Sequence, residues 1–285
     1  MQKVVSIKEL QLQANAIRQD IIKMLLEANS GHTAGPLGMA DIFTALYYNI
    51  LHHDPKNPQW SERDRVILSN GHICAVLYTA LAHTGYFPIE ELKTFRKINS
   101  RLQGHPNRLD IPGVENSSGP LAQGISIAAG IAYAAKMDKQ NHNVFCMMSD
   151  GEHQEGQAWE ALMFIGNKKL TNFIGIMDRN NIQIDGYVEQ LMPLEPLKKK
   201  LEAFHFTVYE IDGNNMEQIL KTLQYVVKHQ EEATKPTFII AKTIPGKGVS
   251  FMENKYEWHG KPPKKEEAEL ALKELDTERE RILKE

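Results

Sequence analysis

Five short β-rich runs, at 66–69, 144–149, 173–178, 207–211 and 238–242, constrain this chain more than any other feature, because four of the five are apolar at nearly every position. A strand that alternates apolar and polar residues covers a core on one side. A strand apolar throughout is buried on both, which is the condition of parallel sheets enclosed between helices. The intervals supply those helices, since patterns of helical period at 73–83, 121–137, 155–168 and 215–229 separate the runs and read as crossovers. The expected fold is an α/β, doubly wound, mainly parallel sheet with helices on both faces.

Ahead of the sheet, Ser6 and Glu9 form an S-x-x-E capping box, and Leu10, Ala14, Ile17, Ile21 and Leu25 follow at helical spacing to a first helix end near Asn29. The stretch 30–38, SGHTAGPLG, holds three glycines and a proline and reads as a loop before a second helix at 39–50. At the other end, 264–285 is charge-rich but keeps Ala268, Leu272, Leu275 and Ile282 on one stripe, as a final amphipathic helix lying on the surface or acting as a docking arm. With no repeat and no linker, the simplest organisation is one domain over 1–285, with a helical extension at 1–50 and an amphipathic tail at 264–285.

Charge and composition remove several functions. The 33 Lys and Arg stand against 36 Asp and Glu, a net charge of −3, so the chain lacks the basic excess that drives binding to nucleic acid. Its two cysteines, Cys74 and Cys146, lie in apolar stretches and read as buried reduced thiols. The N-terminal MQKVVSIKEL has no apolar signal core, and no window approaches the ~18 apolar residues of a membrane span. A soluble, cytoplasmic protein with no membrane association is expected.

Ligands of doubly wound sheets bind beyond the carboxyl ends of the strands, and here those ends are polar and punctuated by glycine. The runs lead into Asn70-Gly71-His72, Ser149-Asp150-Gly151-Glu152, Asp178-Arg179-Asn180-Asn181 and Thr243-Ile244-Pro245-Gly246. Asp150 and Asn180 each follow a buried strand, with one crossover helix between them, so a right-handed βαβ unit brings both to one edge. Their oxygens, with a nearby carbonyl, are hard donors that suit Mg²⁺ or Ca²⁺. Gly151 permits close backbone approach to an anion, and the following helix presents its N-terminus. The pair reads as a metal–diphosphate site.

The stretch SDGEHQEGQAWEALMF…LTNFIGIMDRNNIQIDG resembles the thiamin diphosphate fingerprint, which opens Gly-Asp-Gly and closes on Asn about thirty residues later. SGHTAGPLG, DRVILSNGH, GHPNRLDIPGVENSSGPLAQGISIAAG, QIDG and WHGKPP, in this order, resemble the N-terminal, diphosphate-binding domain of transketolases over almost the whole chain. Deoxyxylulose phosphate synthases and 2-oxo acid dehydrogenases share the fingerprint, and an orphan subunit without catalysis is a further alternative. The combination of SGHTAGPLG, GHPN and WHGKPP favours transketolase. Ser149 replaces the first fingerprint glycine.

The resemblance implies thiamin diphosphate with Mg²⁺ or Ca²⁺, and transfer of a two-carbon ketol unit from a ketose phosphate to an aldose phosphate, as in the pentose phosphate pathway. It implies a split enzyme, whose C-terminal partner subunit carries the pyrimidine-binding domain and the glutamate that activates the cofactor, in a dimer of heterodimers. By the same resemblance Asp150, Asn180 and the Ile182 carbonyl hold the metal, and Gly151 contacts the diphosphate. Gly119, Pro120 and Leu121 line the cofactor rings. His72 binds the cofactor, His32 and His105 act on substrate or protons, and His259 does both. Glu155 sits at the dimer interface near the cofactor. Glu160, Lys247 and His153 keep structural or solvated readings, as do His52, His53, His83, His142, His205 and His229.

Overall fold

In a computed structural model that describes residues 5–285, five parallel strands make one sheet, in the spatial order 65–68, 144–149, 173–179, 237–242 and 207–212. The first four residues of the N-terminal stretch read above lie outside the described residues. The elements run α1 (Ile7–Ala28), α2 (Ala34–Ala45), β1 (Arg65–Leu68), α3 (Cys74–His83), α4 (Gln123–Met137), β2 (Val144–Ser149), α5 (Gly156–Asn167), β3 (Phe173–Arg179), β4 (Ile182–Gln183), β5 (Gly186–Tyr187), α6 (Val188–Leu191), α7 (Leu197–Ala203), β6 (Thr207–Asp212), α8 (Met216–Lys228), β7 (Thr237–Lys242) and α9 (Lys265–Lys284).

The apolar strands divide their side chains between two cores, as the strand period of two requires. Phe145, Met147, Ile174, Ile176, Ile239 and Ala241 pack with α1, α2, α3, α8 and α9. Val144, Cys146, Met148, Phe173, Met177, Phe238 and Ile240 pack with α4, α5 and α7. Helices therefore cover both faces, and Cys74 and Cys146 are buried free thiols. The edge strand β6 is exposed at Thr207, Glu210 and Asp212 and buried only at Ile211, in keeping with its more polar sequence. Among the described residues no helix is long and apolar enough to cross a membrane.

Two details differ from the sequence reading, the start of α2 and a short hairpin. The segment 30–38 is not all loop: α2 begins at Ala34 and carries Pro36 and Gly38 in a wholly buried helix, closing in a π-turn at Leu46–Ile50. Proline is tolerated there because the first turn of a helix has no use for its missing N–H. The helical extension before the sheet is present and packs into it, since Leu10, Ile17, Ile21, Leu37 and Phe43 belong to the same core as the strands. The hairpin β4–β5, with Gln183 paired to Gly186 across a two-residue turn, is not legible from such short runs. The tail forms α9, which docks on α1: the Asn15 amide donates to the Leu275 carbonyl at 2.9 Å and Lys8 to that of Leu283 at 2.8 Å.

Candidate active site

The strand register brings the polar tips level. Ser149 pairs with Asp178 and Arg179 with Lys242, so the ends of β2, β3 and β7 open at one edge of the sheet. A cavity of about 470 Å³ lies there. His32, His72, His105, Gly119, Leu121, Gly151, Asn180, Ile182 and His259 line it, together with Ser149 and with Gln183, Ile184 and Asp185 of the QIDG segment, to which the sequence reading gave no site role. Asp150 is fully buried just behind this wall. Pro120 is exposed beside it, and Glu155 is exposed at the N-cap of α5, outside the cavity lining. Lys247 also lies outside, 3.8 Å from Glu253, and Glu160 is exposed on α5.

On the acidic side the chain holds its own oxygens in place. Asp150 Oδ2 accepts from Arg179 Nη1 at 2.9 Å and from the Asn181 N–H at 2.6 Å, while Oδ1 accepts the Gly151 N–H at 2.8 Å. Burial pushes the Asp150 pKa up and the Arg179 guanidinium opposes it. Arg179 in turn donates to Glu189 at 2.5 Å. Asn180 donates through Nδ2 to Asp178 at 2.7 Å, and its Oδ1 accepts the Ile182 N–H at 2.9 Å, so the amide oxygen is oriented. Asp178 is completely buried and raised to about 7 by that burial, against hydrogen bonds from Thr243 and Asn180.

This donor set fits a divalent cation. Each of Asp150 Oδ1 and Asn180 Oδ1 keeps one lone pair beyond the bond it already accepts. One-point ligation by a carboxylate and an amide oxygen, completed by a carbonyl and ligand oxygens, is hard-cation chemistry. Among the described residues no group of three or more His, Cys, Asp or Glu side chains is arranged for a metal, so any such site depends on Asn180 and backbone oxygen. A Cβ on Gly151 would come 3.3 Å from Gln183 Oε1, a tight but yielding contact across the cavity wall.

On the other side three imidazoles crowd together. Ring centroids are 5.0 Å apart for His32 and His72, 5.1 Å for His72 and His259, and 5.5 Å for His32 and His259. Loops from distant parts of the chain are clamped to make this possible: Thr33 donates its hydroxyl to the Lys261 carbonyl at 2.6 Å, and the Gly246 N–H to the Ala34 carbonyl at 2.8 Å. Burial lowers His32 and His259 to about 4 and His72 well below its ordinary value, with mutual repulsion adding to it for His32 and His72. His105 is more open, and its pKa is lowered by partial burial and by Arg96. Arg96, another residue the sequence reading passed over, donates to Ser30 Oγ at 3.0 Å and to the Gly104 carbonyl at 3.3 Å, bracing the loops of His32 and His105. His153 stays structural: its Nδ1–H donates to the Ser149 carbonyl at 2.9 Å, and the ring packs edge-on against Trp159 and Phe238.

Comparison with known proteins matches residues 10–282 to the transketolase thiamine diphosphate binding domain. The chain is 40% identical over 270 residues to the 6-deoxy-6-sulfo-D-fructose transketolase subunit SqwG of Clostridium sp. (strain MSTE9), covering 95% of this chain and 97% of that protein. It is 40% identical over 276 residues to one of the subunits of the apulose-4-phosphate transketolase of Actinobacillus succinogenes, covering 96% of this chain and 98% of that one. The crystal structure of Campylobacter jejuni transketolase superposes with a TM-score of 0.84 at 36% identity, over 99% of this chain and 48% of that one, so this chain spans about half the length of that solved relative. The chain belongs to the transketolase family, as its N-terminal, thiamin diphosphate-binding part in the form that relatives matched end to end carry as a separate subunit.

Proposed function

We propose that this subunit holds thiamin diphosphate through a divalent cation and, with a second subunit, transfers a two-carbon ketol unit between sugar phosphates. The observation that carries this reading is a single cavity lined both by oriented oxygen donors and by a cluster of neutral histidines. Asp150, Asn180 and the Ile182 carbonyl would hold the cation, Mg²⁺ or Ca²⁺, and Gly151 would lie against the diphosphate. When bound, the cofactor supplies an electron sink for the carbanion left by cleavage of the ketose. The protein's own share is orientation and proton handling. His32, His72 and His259 are uncharged at neutral pH, so each ring offers one donor and one acceptor to sugar hydroxyls and the carbonyl oxygen. His105 borders the same cavity from the Gly119 side, where a Cβ on Gly119 would meet its ring at 3.6 Å.

Two features support a partner. Ile127 and Met137 on α4 and Met163 and Phe164 on α5 are large apolar side chains left exposed, as on a face that another chain would cover. Glu152, the one buried glutamate of the Asp150 loop, has its carboxylate bonded to Ser69, Ala122 and Ser149 and turned away from the lining, so it does not replace the activating glutamate of a pyrimidine-binding domain. The assembly is read as a dimer of heterodimers in the cytoplasm, with Glu155 near the contact. Mixing tests it: the purified chain should show no ketol transfer and should gain it, with a rise in mass by light scattering, on adding the C-terminal subunit. Full turnover by the chain alone sinks the proposal.

A further inference from the structure

Glu152 follows Gly151, is fully buried, and does not line the cavity. Its Oε1 accepts from the Ser69 hydroxyl and from the Ala122 N–H at 2.6 Å, and its Oε2 accepts from the Ser149 N–H at 3.1 Å. These partners stand at the roots of three separate walls. Ser69 leads through Asn70 and Gly71 to His72, Ala122 follows Gly119-Pro120-Leu121, and Ser149 leads to Asp150 and Gly151.

The middle wall needs such a tether. Ala122 sits at φ +66°, a left-handed conformation that a residue with a Cβ keeps only where its surroundings enforce it. Its N–H precedes the first turn of α4 and has no partner within the helix. The walls also bear on one another: a Cβ on Gly71 would fall 2.5 Å from Ser118 Oγ and 2.9 Å from the Gly119 nitrogen, so a shift of either loop moves the other.

We propose that Glu152 is a positioning residue that registers the three walls of the cofactor cavity against one another, an inference that rests on the cofactor reading above. All of its partners are donors, two of them backbone N–H groups that cannot reverse. A carboxylate satisfies all three. An amide of the same shape turns its own N–H against one of them, so Glu152→Gln disturbs the register while keeping the volume.

The test uses the full chain with thiamin diphosphate and Mg²⁺, comparing wild type, Glu152→Gln and Ser69→Ala by calorimetry at a temperature where circular dichroism shows each folded, with backbone hydrogen exchange alongside. Glu152→Gln should bind about 10-fold or more weakly and Ser69→Ala about 2- to 5-fold, the scale of one disturbed buried hydrogen bond or more. Exchange should quicken together at 69–72, 119–122 and 149–152, and stay unchanged at the edge strand 207–212. Affinity of Glu152→Gln within twofold of wild type overturns the proposal, as does quickened exchange confined to 149–152 or spread evenly over the sheet. If Glu152→Gln fails to fold, Ser69→Ala decides: wild-type affinity with unchanged exchange at 119–122 overturns it. Wild type that takes no cofactor with Mg²⁺ overturns the cofactor reading itself, whereas a binding wild type with unaffected variants overturns only the role of Glu152.

Discussion

Two groups of polar residues border the same cavity and are held in opposite ways. Around Asp150 and Asn180, the chain supplies partners for nearly every oxygen and nitrogen: Arg179, Asn181, Gly151, Asp178 and Ile182 fix the two side chains from several directions. Around His32, His72 and His259 the rings crowd one another, yet Nδ1 of His32 and Nδ1 of His259 are buried with no hydrogen-bond partner among the described residues. A buried polar atom left unpaired costs roughly 1–3 kcal/mol, so a fold that keeps two of them at one cavity holds that capacity for an incoming molecule. The oxygen side is preformed and the histidine side is held in reserve. Binding of a cation should depend on the first, and turnover of a substrate on the second.

The comparison breaks most sharply at Asp150. Replacing it by Ala should abolish cation-dependent binding of thiamin diphosphate, a loss of about 10³-fold or more, since it removes the only carboxylate among the donors named. Calorimetry showing unchanged affinity in Asp150→Ala, or in wild type after EDTA treatment, would falsify the site. Next in size is Arg179→Met, which strands the buried Asp150 carboxylate without its cation and should destabilise the metal-free chain by about 3–5 kcal/mol. Urea unfolding that shows less than about 1 kcal/mol would mean the pair is incidental to the preformed side.

Much of this is legible in the amino-acid sequence. Strands apolar on both faces demand two cores, and that demand locates β1, β2, β3 and β7 and the edge where their tips meet. Asp150 and Asn180 are legible because each follows such a strand. What escapes is whatever depends on contacts between distant segments. Nothing local marks Arg179 as the partner of Asp150, Glu152 as the tie between Ser69 and Ala122, or Arg96 as the brace between Ser30 and Gly104, since each bond spans tens of residues or an unforeseen loop path. The start of α2 is misplaced for a local reason: glycine and proline read as breakers, whereas the first turn of a buried helix accepts both.

On the histidine side the expected effect is smaller and of another kind. His105→Ala and His259→Ala should each lower kcat/KM of the assembled enzyme by roughly 10²-fold while the cofactor affinity stays within about threefold, the pattern of a lost acid–base or orienting group. Loss of cofactor instead would move that histidine to the preformed side and erase the contrast.

The finest test is the protonation of the cluster. Burial holds His32 and His259 near 4 and pushes His72 well below its ordinary value, so the folded rings stay neutral where an unfolded histidine takes its proton at about 6.5. Their contribution to stability is therefore complete above pH 6.5 and is lost as the pH falls from 6.5 towards 4, because the unfolded chain binds more protons across that window. Asp178 acts with the opposite sign. Raised to about 7, it keeps in the fold a proton that the unfolded chain releases near 4, so its contribution declines as the pH rises from 4 to 7. The two slopes oppose each other over nearly the same range, and a curve of global stability against pH cannot separate them. Proton NMR of the ring C–H groups, assigned with His32→Gln and His259→Gln, can. Neither ring should show a midpoint between about pH 5.5 and 8. A midpoint of 6 to 7 at His259 would mean that this ring is solvated or paired rather than held dry and neutral, and the reserve of unpaired nitrogen that distinguishes it from the Asp150 side would not exist.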